Sequence, residues 1–177
     1  LEQASFVRML HPHLQEVAQR HGVTATLWQR TSDERVVLVD RADNPSTIRV
    51  HMSIGQRLPM YIAALGRAMA AHSGLSPVEL RRRVSELRWE DGPSFDEYLA
   101  DVDEARSRGY AVDAGRYVRG VTTVSSAVLD AGQRPIMAIS AVGFSAQLGK
   151  PAIKALGEDL RGRAIEISRA LSGGAAR

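Results

Sequence analysis

The sequence predicts an α+β domain in which an antiparallel sheet is flanked by helices. Segments typical of strands come in consecutive pairs joined by short polar turns, which favours antiparallel pairing. Amphipathic helical segments lie between these pairs and also begin and end the chain. The 177 residues are 44% hydrophobic and 24% charged, which is ordinary for a single globular domain of this length.

The first helix is predicted over residues 1–22, where apolar side chains recur at helical spacing and Gly22 is a suitable end. A hairpin follows. Its strands are residues 23–30 (VTATLWQR) and 35–41 (RVVLVDR), which are rich in β-branched side chains. After a break at Pro45, residues 48–52 (IRVHM) alternate as a third strand would.

A loop leading into a helix is predicted next, with Pro59 at the first helical position, where its missing N–H costs nothing. Ala64, Ala68 and Ala71 repeat on one face of this helix, and their short side chains would let another layer or a ligand approach closely. Unsatisfied N–H groups in the first turn would favour a carboxylate. A helix that simply packs on the sheet remains the alternative interpretation.

Two further helices are predicted from their capping residues. Ser76 and Pro77 begin one that continues to about residue 88, and Ser94 with Glu97 forms a capping box for another over residues 95–108. A short strand at 110–112 and a polar connection at 113–117 follow.

The last hairpin pairs residues 121–129 (VTTVSSAVL) with residues 134–142 (RPIMAISAV). The final helix is predicted to begin at Pro151 and to end at Gly173 and Gly174, which leaves residues 173–177 as a frayed tail.

Several classes of function find no support in the sequence. There is no cysteine, and the histidines make no metal-binding pattern. Phosphate loops and nucleophile motifs are absent as well. No apolar run approaches the roughly 20 residues that span a bilayer. The net charge of +3 comes mostly from arginines spread along the chain, which favours a solvated surface over a DNA-binding one.

Small hydroxyl side chains on residues 121–129 suggest a binding site. Strand alternation puts Thr123, Ser125 and Ala127 on one face and Thr122, Val124 and Ser126 on the other. A buried hydroxyl needs a hydrogen-bond partner, which a polar ligand could supply. An exposed strand face, or hydroxyls bonded to the local backbone, would explain the same pattern.

Four stretches together resemble the isocitrate lyase regulator (IclR) family of bacterial transcription factors, in their effector-binding domain. The first is GQRLPMYIAALGRA at residues 55–68, which is similar to the family pattern Gly-x-Arg-x-Pro-x-Tyr followed by Gly-Lys-Ala. The other three follow in the family's order at residues 101–113 with 120–130, at 138–143 and at 164–171. The resemblance covers nearly the whole chain.

The resemblance implies a curved antiparallel sheet of the GAF or PAS-like sensor type over residues 23–172. Residues 1–22 would be the helix that links it to a winged helix-turn-helix outside this chain, which would bind operator DNA. A homodimer or homotetramer in the cytoplasm is implied, without cofactor, metal or membrane contact. The pocket implied for a small organic acid or an aromatic metabolite consists of Leu58, Ala64, Leu65, Asp113, Val121, Thr123, Ser140 and Val142.

Two other functions are compatible with the residues. One is a small enzyme in which Asp113, Thr123 and Ser140 act on a bound acid. The other is a stand-alone GAF-like interaction module. The sequence favours the sensor, because nothing in it pairs a serine with a base.

Overall fold

Six strands form one curled antiparallel sheet in the computed structural model, which describes residues 2–45 and 49–175. The order across the sheet is β3-β2-β1-β6-β5-β4. This confirms the predicted α+β class and the curved sheet. The strands are β1 (Thr24–Arg30), β2 (Arg35–Ala42), β3 (Arg57–Pro59), β4 (Ala111–Ala114), β5 (Val121–Leu129) and β6 (Pro135–Phe144).

Helices cover both faces of the sheet. On one face α1 and α5 contribute Leu14, Val17, Leu156 and Leu160, all fully buried, to a shared core. On the other face α2, α3 and α4 form a second core around Trp28. The helices are α1 (Glu2–His21), α2 (Ala63–Ala70), α3 (Pro77–Ser85), α4 (Phe95–Arg108) and α5 (Lys150–Ala175).

The central strand β1 is buried on both sides, so its two faces differ in chemistry rather than in exposure. Ala25 and Leu27 belong to the core beneath α1 and α5, whereas Thr26 and Trp28 face the other layer. Thr26 and Trp28 are as buried as their apolar neighbours. The layer of α2, α3 and α4 therefore meets a sheet face that carries hydroxyl groups.

The predicted helix starts at Ser76 and Ser94 are confirmed. Ser76 accepts a hydrogen bond from the Glu79 N–H, and Ser94 forms the reciprocal capping box with Glu97. Helix α4 ends at Gly109, which is left-handed with φ of 84°.

Two predictions between β2 and α2 are wrong. The described part of residues 48–52 forms no strand (Ile48 lies outside the described residues), and the third strand is β3. Pro59 ends β3, opposite Arg35, rather than beginning a helix. The chain must first pass from the sheet edge onto the sheet face, so α2 begins only at Ala63.

Other boundaries differ by a few residues. Helix α3 ends at Ser85, short of residue 88, and Asp113 lies within β4 rather than in the connection after it. Helix α5 continues through Gly173 and Gly174 to Ala175, so the predicted frayed tail is helical at its described start. Glycine lowers helix stability by only about 1 kcal/mol, which an established helix tolerates.

Candidate ligand-binding site

A small cavity lies between the sheet and the start of α2. Its volume is about 40 Å³, which corresponds to roughly one or two water molecules. The lining comes from β1, β3, β5, β6, α2 and two connecting segments, through Thr26, Trp28, Met52, Leu58, Ala63, Leu65, Tyr117, Thr123, Ser125, Ser140, Ala141 and Val142. No charged side chain lines it among the described residues.

Hydroxyl groups from three adjacent strands form the sheet side of the cavity. The Ser125 and Ser140 hydroxyls are 2.6 Å apart and hydrogen-bond to each other, because β5 and β6 pair these residues directly. The Trp28 indole N–H donates to Thr26 Oγ1 at 3.1 Å. These groups are mutually satisfied, which is what burial at this depth requires.

Thr123 is the exception in this group of hydroxyls. Its Oγ1 is buried and has no hydrogen-bond partner among the described residues. Thr123 lies between Asp113 on β4 and Val142 on β6, but its hydroxyl bonds to neither of them. A buried hydroxyl without a partner costs about 1–3 kcal/mol, so this site offers an unused donor and acceptor to a polar ligand.

The start of helix α2 forms the opposite side of the cavity, through Ala63 and Leu65. Ile62, at the N-cap position, makes no side-chain capping bond, so the first-turn N–H groups carry positive partial charge without a capping side chain. Ala63 holds a left-handed backbone with φ of 57°, which is uncommon for a residue other than glycine. The cavity is thus enclosed by the first turn of α2, by strand hydroxyls and by apolar side chains.

The structure brings together five of the eight pocket residues named from the sequence. Leu58, Leu65, Thr123, Ser140 and Val142 all line the cavity.

The other three predicted residues lie elsewhere. Ala64 is fully buried on the side of α2 that faces α4 and β4, where it packs with Ala68, Ala105 and Ala111. Val121 is half-exposed at the start of β5, outside the cavity lining.

Asp113, the third of them, is 1% exposed. It forms an ion pair with Arg67 and does not line the cavity. Its Oδ1 accepts from Arg67 Nη1 at 2.7 Å and its Oδ2 accepts from the Tyr117 N–H at 3.0 Å. The carboxylate therefore joins α2 to the segment that carries Tyr117 into the cavity wall. The alternation of β4 points Asp113 inward, and a prediction that placed it in a loop missed this.

Arg67 lies in a buried cage behind the cavity. Its guanidinium is 5.2 Å from the Trp89 ring centroid and 5.5 Å from that of Tyr98, distances typical of cation–π contact. Asp101 Oδ2 is 3.1 Å from Arg67 Nε, at an angle outside hydrogen-bond geometry. Burial raises the pKa of Asp101, and the charge of Arg67 opposes this rise.

The pocket implied by the resemblance omits seven of the lining residues, although strand alternation places one of them, Ser125, on the same face as Thr123. Thr26 and Trp28 could have been found, because a threonine and a tryptophan at alternate positions of a strand share a face. Met52 and Tyr117 come from connecting segments, and only the folded chain places them here. The others are Ala63, Ser125 and Ala141.

Within residues 2–45 and 49–175 no group of three histidine or carboxylate side chains is placed to hold a metal ion. No helix in the same ranges is both long enough and apolar enough to cross a bilayer.

Comparison with known proteins identifies the family. Residues 1–169 match the model of the bacterial transcriptional regulator IclR C-terminal domain. The chain is 28% identical over 163 residues to the HTH-type transcriptional repressor AllR of Escherichia coli K12, which covers 90% of the chain and 60% of the repressor. It is 26% identical over 181 residues to the HTH-type transcriptional regulator BhcR of Paracoccus denitrificans, covering 99% of the chain and 62% of that protein.

Solved structures support the same family assignment. The crystal structure of an IclR transcriptional regulator from Alicyclobacillus acidocaldarius superposes with a TM-score of 0.81 at 25% identity, over 93% of this chain and 67% of that one. The chain spans about 60% of the length of the AllR relative that it matches. On this sequence match and this shared fold, the chain belongs to the IclR family of bacterial transcriptional regulators, as its C-terminal domain.

Proposed function

We propose that this domain senses a small organic acid or an aromatic metabolite, which binds in the cavity between α2 and the sheet. The observation that carries the proposal is the unpartnered Thr123 hydroxyl, in a cavity whose other strand hydroxyls are already hydrogen-bonded. An apolar cavity with a few placed polar groups is the usual form of a small-molecule site. A ligand carboxylate would meet Thr123 and the α2 N–H groups, while its body would lie against Leu58 and Val142.

A ligand of several heavy atoms requires the cavity to widen, because 40 Å³ is too small for it. We expect the widening to come from Met52 and Tyr117, because these walls belong to connecting segments rather than to strands or helices. Arg41 donates to the Met52 carbonyl, and Asp113 accepts from the Tyr117 N–H. Ligand binding would therefore be coupled to the position of both segments.

The regulatory mechanism that follows is a shift between two arrangements of the protein. The relatives are longer than this chain, and a DNA-binding segment joined through α1 would bind operator DNA as part of a homodimer or homotetramer. A ligand that binds one arrangement better changes the spacing of the DNA-binding segments. Half-sites lie about one duplex turn apart, so a small reorientation is enough to alter operator affinity.

The position of Asp113 argues against the enzyme alternative. It required Asp113 to act beside Thr123 and Ser140, but the Asp113 carboxylate is bound by Arg67 and by the Tyr117 N–H, outside the cavity lining. A general base must reach the proton that it removes.

The first test measures ligand binding by this chain. A thermal-shift screen of aromatic and aliphatic acids should give at least one ligand, whose affinity is then measured by calorimetry. Thr123→Val should weaken that ligand by about tenfold, the usual effect of one lost hydrogen bond to a charged group. Thr122→Val is the matched control, because Thr122 points to the other face of β5 and bonds to Ser145 at 2.8 Å.

The second test measures operator binding by the full-length regulator against ligand concentration. The ligand found in the screen should shift operator affinity, and Thr123→Val should move that response to higher ligand concentration. Absence of any ligand in the screen would favour a stand-alone interaction module, and turnover of the ligand would favour the enzyme.

A further inference from the structure

A second, ligand-sized cleft in the described part of the chain is separate from the cavity. Its volume is about 430 Å³, within the range typical of small-molecule sites. It lies where the ends of α2 and α4 meet α5 and the far half of β5. Its lining shares no residue with the cavity beside Thr123.

The side chains that line this cleft carry a net positive charge. Three arginines line it, Arg106, Arg161 and Arg169, against a single carboxylate, Asp130. The Asp130 Oδ1 atom already accepts backbone N–H bonds from Gly132 and Arg134, at 2.9 Å each.

Only one of the three arginines is neutralised by a neighbour. Arg106 pairs with Asp103 at 2.8 Å. Arg161 and Arg169 take part in none of the ion pairs found within residues 2–45 and 49–175. Two unneutralised cations facing one concave surface raise the local concentration of anions.

The stem of Arg161 packs against the backbone of Gly109. A Cβ atom added to Gly109 would lie 2.7 Å from Arg161 Cδ, so the aliphatic stem of Arg161 sits directly on the glycine. Gly109 also accepts the Ser126 hydroxyl hydrogen bond at its carbonyl, at 2.7 Å. The stem of Arg161 therefore has a packing contact at the rim of the cleft, while its guanidinium makes no ion pair or hydrogen bond among the described residues.

His72 lies at one end of the cleft, near Arg106. Burial lowers the pKa of His72 from its ordinary value, and the charge of Arg106 lowers it further. The imidazole is therefore neutral near pH 7 and can donate one N–H without adding a charge.

We propose that this cleft is a second ligand site, which takes an organic anion with a carboxylate or phosphate head. Arg161 and Arg169 on α5 bind the head, since guanidinium groups match planar oxyanions. The body of the ligand lies on an apolar floor of Ala127, Ala164 and Ile165; Ile165 is 40% exposed. Helix α5 packs against α1, so an anion bound here acts on the helix pair.

The experiment uses three probes of defined chemistry on this chain. Succinate carries carboxylates, phenyl phosphate carries a phosphate on an apolar body, and succinamide is neutral. We expect one of the two anions to bind with a Kd below about 1 mM and succinamide not to bind. Which anion binds more tightly identifies the head group. Amide chemical shifts of Ala127, Ala164 and Ile165 should move on titration.

Variants locate the bound anion. Arg161→Gln and Arg169→Gln should each weaken it by about tenfold, as expected for a lost charge-assisted hydrogen bond. Arg82→Gln, an exposed arginine on α3, removes the same charge elsewhere and should leave the Kd unchanged. An equal loss in Arg82→Gln would mean general charge attraction and would overturn the proposal, as would no anion binding at all.

Two other outcomes would show that the anion binds in the cavity beside Thr123 or that the cleft is a contact between copies of the chain. Binding that is lost in Thr123→Val but kept in the arginine variants would place the anion in the cavity; the second site would then be refuted and the sensing proposal supported. A change of oligomeric state in Arg161→Gln, measured by sedimentation without any anion binding, would assign the cleft to a contact between copies and would also refute it.

Discussion

At the scale of single residues, we expect the buried ion pair of Arg67 and Asp113 to contribute strongly to the stability of the fold. Both side chains are 1% exposed, and breaking a buried ion pair is severely destabilising. Asp101, the other carboxylate near Arg67, is 40% exposed and does not hydrogen-bond to it. We expect Asp113→Asn to lower the free energy of unfolding by about 3–5 kcal/mol, measured by chemical denaturation.

The control for that variant is Asp103→Asn. Asp103 pairs with Arg106 at 2.8 Å but is 74% exposed, so its loss should cost less than about 1 kcal/mol. If the two variants lost the same free energy of unfolding, burial would not explain the contribution of the ion pair between Arg67 and Asp113.

The Thr123 hydroxyl should oppose stability, unlike its neighbour on the same strand face. Thr123→Val removes an unpartnered buried group while keeping the shape, and should raise the free energy of unfolding by about 1 kcal/mol. Ser125→Ala removes the partner of Ser140 and should lower it by a similar amount. Denaturation of both variants without ligand tests this, and a destabilised Thr123→Val would mean that its hydroxyl is satisfied in solution.

At the scale of elements, the entry into α2 depends on one glycine. A Cβ atom on Gly66 would lie 1.9 Å from the carbonyl carbon of Tyr61, so the turn from β3 into the helix cannot form with a side chain there. Gly66→Ala should lower the free energy of unfolding by at least about 3 kcal/mol, and thermal unfolding would measure the loss.

Gly162 on α5 is the matched helical glycine. Nothing lies within 4 Å of a Cβ atom added there. Gly162→Ala should therefore raise the free energy of unfolding by about 0.5–1 kcal/mol through helix propensity alone. If Gly66→Ala behaved like this variant, the close contact with Tyr61 would not exist in solution.

At the scale of the whole molecule, an ionic network joins the first helix to the last. Arg163 on α5 donates to Glu16 at 2.6 Å and to Asp159 at 3.0 Å, and His21 lies 2.8 Å from Asp159. Any movement that α5 transmits to α1 passes through these contacts as well as through the apolar core. Arg163→Gln should therefore speed amide hydrogen exchange in α1, whereas the exposed Arg161→Gln on the same helix should not.

The same network makes stability depend on pH. Burial acts to raise the pKa of Asp159, but the hydrogen bond with His21 and the charge of Arg163 outweigh it, and the pKa falls below 3.8. A lowered carboxylate pKa gives stability that is present above pH 3.8 and is lost as pH falls through the folded-state pKa. The stability difference between the unmodified protein and Asp159→Asn should shrink over that window, as denaturation at a series of pH values would show.

Outside the segment between β2 and α2, the sequence by itself determined the element types, the two hairpins, the caps at Ser76 and Ser94, and the hydroxyl face of β5. Each of these depends on neighbours along the chain, through backbone hydrogen bonds, turn chemistry or the alternation of a strand. The family blocks then led to five of the residues that line the cavity, because they fix positions in the chain.

Only the tertiary structure decided where Pro59, Asp113 and the cavity walls lie. Pro59 ends a strand because β2 offers an edge to pair with. Asp113 belongs to a strand because β4 pairs with β5 there, and its carboxylate then meets the buried Arg67. Met52 and Tyr117 reach the cavity from connecting segments, and Arg161 and Arg169 meet α2 and α4 across a cleft. These placements depend on contacts between residues far apart in sequence, which no local pattern encodes.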